Sequence, residues 1–287
     1  MKVLPFKVSK TINSSFLVQV DDQPHFYDIF HKHPELQLTL IIESDGTVIM
    51  GDYVGNFKPG DIFLINSNVP HVFKNDKKYY GESNDLWAHG ISIFFEDTLF
   101  GDKFFQLPET QAVGQFLRKR QSLKLHPDTA NELRPRIINL QSLSGVSKVT
   151  EMLSILEVLA NSEDNQILTS DIAHDYTESQ AKRLNDIYQF TMNEFHRNIT
   201  LDEVADVSNM TTSSFCRYFK KRTRKTYIEF LTEIRISYAC KMLQKEDLSV
   251  TAVCDMCGFN NLSNFNRKFK KITGYTPMAF RKLNQSI

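Results

Sequence analysis

The last ninety residues of the chain say nearly the same thing twice. Between Val204 and Lys221 they run VADVSNMTTSSFCRYFKK, and between Val253 and Lys271 they run VCDMCGFNNLSNFNRKFKK. Superposition pairs Val204 with Val253 and Met210 with Phe259. With one extra residue in the second turn, Phe215, Arg217, Phe219, Lys220 and Lys221 pair with Phe265, Arg267, Phe269, Lys270 and Lys271. A repeat at this period implies a duplicated supersecondary unit that buries its apolar face beside its neighbour.

The local chemistry of each copy is that of two helices around a short turn. Thr200, Leu201, Asp202 and Glu203 form a capping box, in which a hydroxyl and a carboxylate satisfy the orphan amides of a helix start. The turn Ser208-Asn209-Met210-Thr211 follows, with Thr211 placed to cap the next helix. In the second copy Ser249 is the cap, and Gly258 stands where a helix end needs a left-handed residue. The second helix of each copy is amphipathic: Phe215 and Phe219, like Phe265 and Phe269, face inward. That leaves Ser213, Cys216, Arg217, Lys220 and Lys221 outside in one copy, and Leu262, Ser263, Asn266, Arg267, Lys270 and Lys271 in the other. Arg can bond a guanine edge twice, Asn an adenine edge, and Lys neutralises phosphate, so these faces suit a major groove. A single such face would read equally well as a solvated basic helix; two copies argue for double-stranded DNA. Tyr227 to Gln244, free of Gly and Pro, is expected to be one helix. At 1.5 Å per residue it spans roughly 27 Å, which would hold the two reading helices about one duplex turn, roughly 34 Å, apart.

The run GFNNLSNFNRKFKKITGYTPMAFRK, Gly258 to Lys282, resembles the C-terminal signature of the AraC/XylS family of bacterial transcription regulators. Arg235, Ala239 and the Met242-Leu243 pair resemble that family's linker helix. The resemblance covers residues 183 to 284 and implies an all-α pair of helix-turn-helix subdomains joined by a long helix.

Charge divides the chain. Its formal net charge is zero, yet residues 181 to 287 hold 18 Lys+Arg against 10 Asp+Glu and the remainder holds 16 against 24, balances of +8 and −8. A basic module is attached to an acidic one, as expected if only the former meets a polyanion. With 41% hydrophobic residues in 287, the chain can build more than one core. No stretch approaches the roughly 20 apolar residues of a membrane helix, and a cytoplasmic protein is expected. Cys216, Cys240, Cys254 and Cys257 all lie in the basic half. The Cys254-x-x-Cys257 spacing invites a metal or redox reading, but the repeat sets Ala205 and Ser208 at the same places, where small core residues suffice.

The acidic half opens with short β-rich runs, FLVQV, LQLTLII, TVIMG, DIFLI and GISIFF, separated by turn residues, a pattern of a sandwich or barrel. His31-Lys32-His33-Pro34-Glu35-Leu36-Gln37 and Pro59-Gly60-Asp61 through Pro70-His71 to Asn75 resemble the paired motifs of the cupin barrel. In the metal-binding members two histidines, a glutamate and a third histidine converge. Here Gln37 stands where that resemblance expects the glutamate, and Asn66 and Asn68 replace a proline and a glycine. No metal and no cofactor are expected; a site of His31, His33 and His71 with Gln37 or a water is the alternative. A ligand pocket formed by His31, His33, Glu35, Gln37, His71 and Trp87, with the aromatics Phe26, Tyr27 and Phe30 nearby, is the preferred use of the barrel. Each aromatic taken singly would serve equally as ordinary core.

From Pro108 the pattern turns helical, and Val149, Met152, Leu153, Leu156 and Leu159 make an apolar stripe that could cover the barrel or pair with a second subunit. The expected architecture is α+β and multidomain: a cupin-like sensing barrel over 1–107, a helical dimerisation or docking segment over 108–160, a linker over 161–182 and the double helix-turn-helix over 183–287. The expected function is a sequence-specific, DNA-binding transcription regulator, not an enzyme. It would respond to a small effector such as a sugar or related metabolite, form a homodimer and, as an activator, meet RNA polymerase; no membrane partner is expected. The alternatives are a metal-dependent cupin enzyme with an attached DNA-binding domain, and a regulator that needs no ligand.

Overall fold

The computed structural model describes residues 14–81, 86–101, 103–170, 178–245 and 248–285. It divides into two compact units, Met1–Asp175 and Tyr176–Ile287.

The first unit is sheet-rich. Strands β1 (Leu17–Gln23), β2 (Leu36–Glu43), β3 (Gly46–Met50), β4 (Tyr53–Phe57), β5 (Ile62–Ile65), β6 (His71–Asn75), β7 (Ala88–Phe95), β8 (Gln121–Lys124) and β9 (Gln166–Ser170) form two antiparallel sheets. One has the order β1-β7-β2-β5-β8-β9 and the other β4-β3-β6. Side chains alternate along a strand, and here both faces of the larger sheet are covered. Leu36, Leu38 and Leu40 of β2 join Ile62, Leu64, Ile91 and Ile93 in a core with the helices α1 (Gln111–Arg118), α2 (Pro127–Asn139) and α3 (Gly145–Asn161). Ile41, Phe63 and Ile65 point the other way, into a second core shared with Val48, Met50, Phe57 and Phe73 of the smaller sheet. Double burial explains why β2 reads as a near-continuous apolar run and not as a clean alternation.

One expectation needs correction here. The linker placed over 161–182 contains β9, which pairs with β8 through Gln121↔Ser170, Ser122↔Thr169 and Leu123↔Ile167, so the sheet continues into it. Residues 171–177 of that stretch lie outside the described residues. Part of the expected stripe lies inside the unit: Met152, Leu156 and Leu159 are fully buried, with Ile155, against Leu133, Ile137 and the sheet, while Val149 and Leu153 are half-buried.

The second unit is helical: α4 (Glu178–Glu194), α5 (Leu201–Val207), α6 (Thr212–Thr223), α7 (Tyr227–Lys245), α8 (Val250–Met256), α9 (Leu262–Thr273) and α10 (Pro277–Gln285). The repeat reappears as structure, since α5 and α8 are 7 residues each and α6 and α9 are 12 each. Caps act as their chemistry requires. Thr200 and Glu203 complete a reciprocal capping box, Thr211 and Ser249 accept from the third amide of their helices, and Asn261 caps α9. Each copy has its own aromatic core. Phe215 and Phe219 pack with Tyr188, Tyr227 and Phe230, while Phe265 and Phe269 pack with Phe259 and Phe280.

The turn in each copy needs a left-handed residue, met by Asn209 at φ 52° and by Gly258 at φ 76°. Asn tolerates that conformation; Gly258 has a further constraint. A Cβ there would lie 2.6 Å from the carbonyl oxygen of Phe195 and 2.9 Å from the main chain of His196. The same segment is held from the other side by Arg235 of α7, whose Nε donates to the Phe195 carbonyl at 2.8 Å and whose Nη2 donates to the Arg197 carbonyl at 2.7 Å. Gly258→Ala is therefore expected to cost more than the roughly 1–2 kcal/mol of a left-handed alanine, because backbone must also move. Asn209→Ala should stay near that figure. Chemical denaturation followed by helical circular dichroism compares the two.

Candidate functional site

On α6 and α9 every residue expected to face DNA is exposed: Ser213, Cys216, Arg217, Lys220 and Lys221, then Leu262, Ser263, Asn266, Arg267, Lys270 and Lys271. The inward phenylalanines four residues apart set this, because they turn the opposite faces of both helices to solvent. Arg267 is steadied on its own helix by Nη2 donating to Asn264 Oδ1 at 2.9 Å. Cys254 and Cys257 are buried in the core with Val253, Phe265 and Phe269. Burial first, then the neighbouring thiol groups, pushes the Cys257 thiol up to about 12. Thiols so placed stay protonated and are poor ligands and nucleophiles.

The first unit contains a cleft lined by Gln19, Asp21, Phe26, Tyr27, His31, Gln37, Thr39, Ile41, His71, Phe73, Ser92 and Phe94, with about 460 Å³ of empty space, open solvent at its mouth included. It gathers His31, Gln37 and His71 as expected. His33 is not in the lining but sits behind it, fully buried, with Nε2 2.9 Å from Gln37 Oε1. Glu35 is buried outside the cleft. Trp87 is 44% exposed and does not line it. It falls just before the strand β7, where nothing turns it inward. The polar lining residues that sequence reasoning passed over are Gln19, Asp21, Thr39 and Ser92. Thr39 was in reach, because it shares strand parity with Gln37 and so must share its face. Ser92 was not, since only the β2–β7 register brings it opposite Thr39.

The polar groups of this cleft are ordered by one another. Gln37 Nε2 donates to Thr39 Oγ1 at 2.7 Å and to Ser92 Oγ at 3.3 Å, and the two hydroxyls are 2.9 Å apart. Gln19 Nε2 donates to Asp21 Oδ1 at 2.7 Å. Burial nevertheless raises the Asp21 carboxyl above the ordinary range, the Gln19 bond opposing it. The three imidazoles are all pushed down, chiefly by burial: His31 to about 4, with His33 and His71 also lowered. They are neutral rings at neutral pH.

Residues 204–283 match the family model described as a helix-turn-helix domain. Over 273 residues the chain is 22% identical to the HTH-type transcriptional regulator YdeC of Bacillus subtilis (strain 168), covering 90% of this chain and 87% of that one. Over 257 residues it is 23% identical to the HTH-type transcriptional activator RhaR of Enterobacter sp. (strain 638), covering 88% and 86%. The chain is an AraC-family DNA-binding transcriptional regulator. Among solved structures, ToxT from Vibrio cholerae O395 aligns with 95% of this AraC-family chain and 99% of its own, at 11% identity and a TM-score of 0.38. The family match takes in both copies of the repeat from Val204 onward, and with them all eleven exposed residues of α6 and α9. Among the described residues no helix is long and apolar enough to cross a membrane.

Proposed function

We propose that this regulator reads two adjacent major-groove segments with α6 and α9 and is controlled by a small polar effector held in the cleft of a cupin-like first unit. The observation that carries the DNA half is the recurrence of one exposed Arg and its two lysines at equivalent places on two helices of equal length. Direct readout needs such side chains at base edges, and neutralising lysines at the phosphates. The helix α7, 19 residues and about 28 Å long, is of a length to set the two reading helices one duplex turn apart.

The effector half rests on the cleft, an apolar concavity with a few oriented polar groups: Asp21, Tyr27, Gln37, Thr39 and Ser92. Such a mixture of donors and acceptors suits a hydroxyl-rich metabolite. Binding-site selection on the full chain should return two half-elements about one helical turn apart; a single short element would remove α9 or α6 from the reading. A thermal-shift screen with polar metabolites should find a compound that stabilises the chain, since a ligand of the folded state alone must do so. If Gln37→Leu left that stabilisation intact, the cleft would not be the effector site.

A further inference from the structure

One wall of the cleft is laid out by strand register. Asp21 of β1, Gly90 of β7 and Ile41 of β2 stand opposite one another in one row, and Gln19, Ser92 and Thr39 form the next. Residues directly opposite share a face, so both rows look into the same space.

Gly90 puts no side chain between its neighbours. A Cβ there would come within 3.1 Å of the Phe26 ring and of the Leu40 carbonyl oxygen. The ring of Phe26 thus packs over the position opposite Asp21, and a carboxylate stands beside an aromatic side chain. Tyr27, Phe73 and Phe94 add three more rings to the lining.

The charge of the cleft comes from Asp21. Among the described residues the lining holds no Lys or Arg, and its two imidazoles, His31 and His71, are neutral at neutral pH. Gln19 is the one hydrogen-bond partner of Asp21 among the described residues, and no basic side chain pairs with it. Burial raises its carboxyl above the ordinary range, with only the Gln19 bond in opposition, so the negative charge is poorly compensated. A neutral molecule covering Asp21 would take away its remaining water, and an anion would add repulsion. A cation would relieve both. Residues 1–180 carry a balance of −8, and a field of that sign draws cations in.

We propose, resting on the reading of the cleft as the effector site, that the effector is a small primary amine bearing hydroxyl groups, an amino sugar or amino alcohol, whose ammonium group sits between the Asp21 carboxylate and the Phe26 ring. An ammonium donates charge-assisted hydrogen bonds to a carboxylate and is attracted to an aromatic ring, so the pair selects it over an uncharged hydroxyl. The second row serves the hydroxyl groups, because the Gln19 amide and the Ser92 and Thr39 hydroxyls both donate and accept. Positions two apart along a strand are about 7 Å apart. One molecule of monosaccharide size reaches both rows.

The test uses the full-length chain and matched probes that differ in one group: glucosamine, galactosamine and ethanolamine; glucose, galactose and ethylene glycol; glucuronate, galacturonate and glycolate. Thermal shift ranks them and calorimetry gives Kd. At least one amine is expected to stabilise the wild type and to bind roughly 10–100-fold more tightly than its hydroxyl counterpart, the factor that a hydrogen bond to a charged group supplies. The acids should not bind. Asp21→Asn keeps the shape and removes the charge, so the amine should fall to the affinity of its hydroxyl counterpart while circular dichroism stays that of wild type. The comparison of amine with hydroxyl on the wild type holds even if that variant fails to fold. The proposal is overturned if a neutral or acidic probe binds as well as its amine, if folded Asp21→Asn binds the amine as wild type does, or if no amine binds. A neutral probe that stabilises the wild type but not Gln37→Leu would preserve the effector reading while removing the amine.

Discussion

The doubly substituted Arg217→Ala/Arg267→Ala protein is expected to bind its operator weakly and read it poorly. Each arginine is exposed at the same place on its helix, Arg217 on α6 and Arg267 on α9. A bidentate Arg–guanine pair is worth roughly 1–3 kcal/mol of discrimination, and losses at well-separated positions add. The double variant should therefore lose roughly 2–6 kcal/mol, about 30-fold to 10⁴-fold in Kd. Each single variant should relax preference in one half-element only. Lys220→Ala makes the contrast, because a phosphate contact carries no sequence information. It should weaken specific and nonspecific DNA alike and reduce the salt slope by about 0.9. Fluorescence anisotropy across a salt series, with binding-site selection on the same variants, separates the two classes. Unchanged sequence preferences in the double variant would mean that α6 and α9 are not the reading helices.

A second large effect belongs to the first unit. Leu156→Glu places a carboxylate at a position with no exposure, among Met152, Ile155, Leu159, Leu133 and Ile137. Burying an unpaired charge in a packed core belongs to the rare class that costs more than about 4 kcal/mol. Since whole domains are stable by about 5–15 kcal/mol, the unit should lose most or all of its folded population. Leu153→Glu, half-buried on the same helix, should cost far less. Trp87, the only tryptophan, lies in the first unit and reports its unfolding by fluorescence, while residual helical dichroism and DNA binding report the second. A folded first unit with native tryptophan fluorescence in Leu156→Glu would put α3 outside the core.

The contrast between these two predictions follows how information is stored in the chain. The DNA-reading half could be read closely because its determinants are local. A helix cap spans four residues, an amphipathic face recurs every three or four, and both are written twice, so Thr200, Phe215 and Phe219 have counterparts in Ser249, Phe265 and Phe269. Helix α7 likewise has no breaker along its length and was expected within a residue of its observed end. The sheet-rich half was legible only in its strong strands. β2, β3, β5 and β7 carry apolar runs, while β8, QSLK, and β9, QILTS, are short and polar and become strands because β5 offers β8 an edge and β8 offers β9 one.

The site in the first unit shows the same division. Sequence determined which groups were available: His31, His33, Glu35, Gln37 and His71, residue types able to bind polar ligands or metal, on both sides of a turn-rich stretch. It also determined that the second half is a duplicated, basic, DNA-reading module. Tertiary structure decided which of those groups meet. His31 bridges to His71 across forty residues of chain, Thr39 and Ser92 complete the cleft through the β2–β7 register, and Trp87 is left outside. It decided, too, that Met152, Leu156 and Leu159 of the α3 stripe lie in the core. The physical reason is that helix caps and amphipathic faces are set by neighbours a few residues away, whereas strand pairing and burial are set by whatever surface the rest of the chain brings against them.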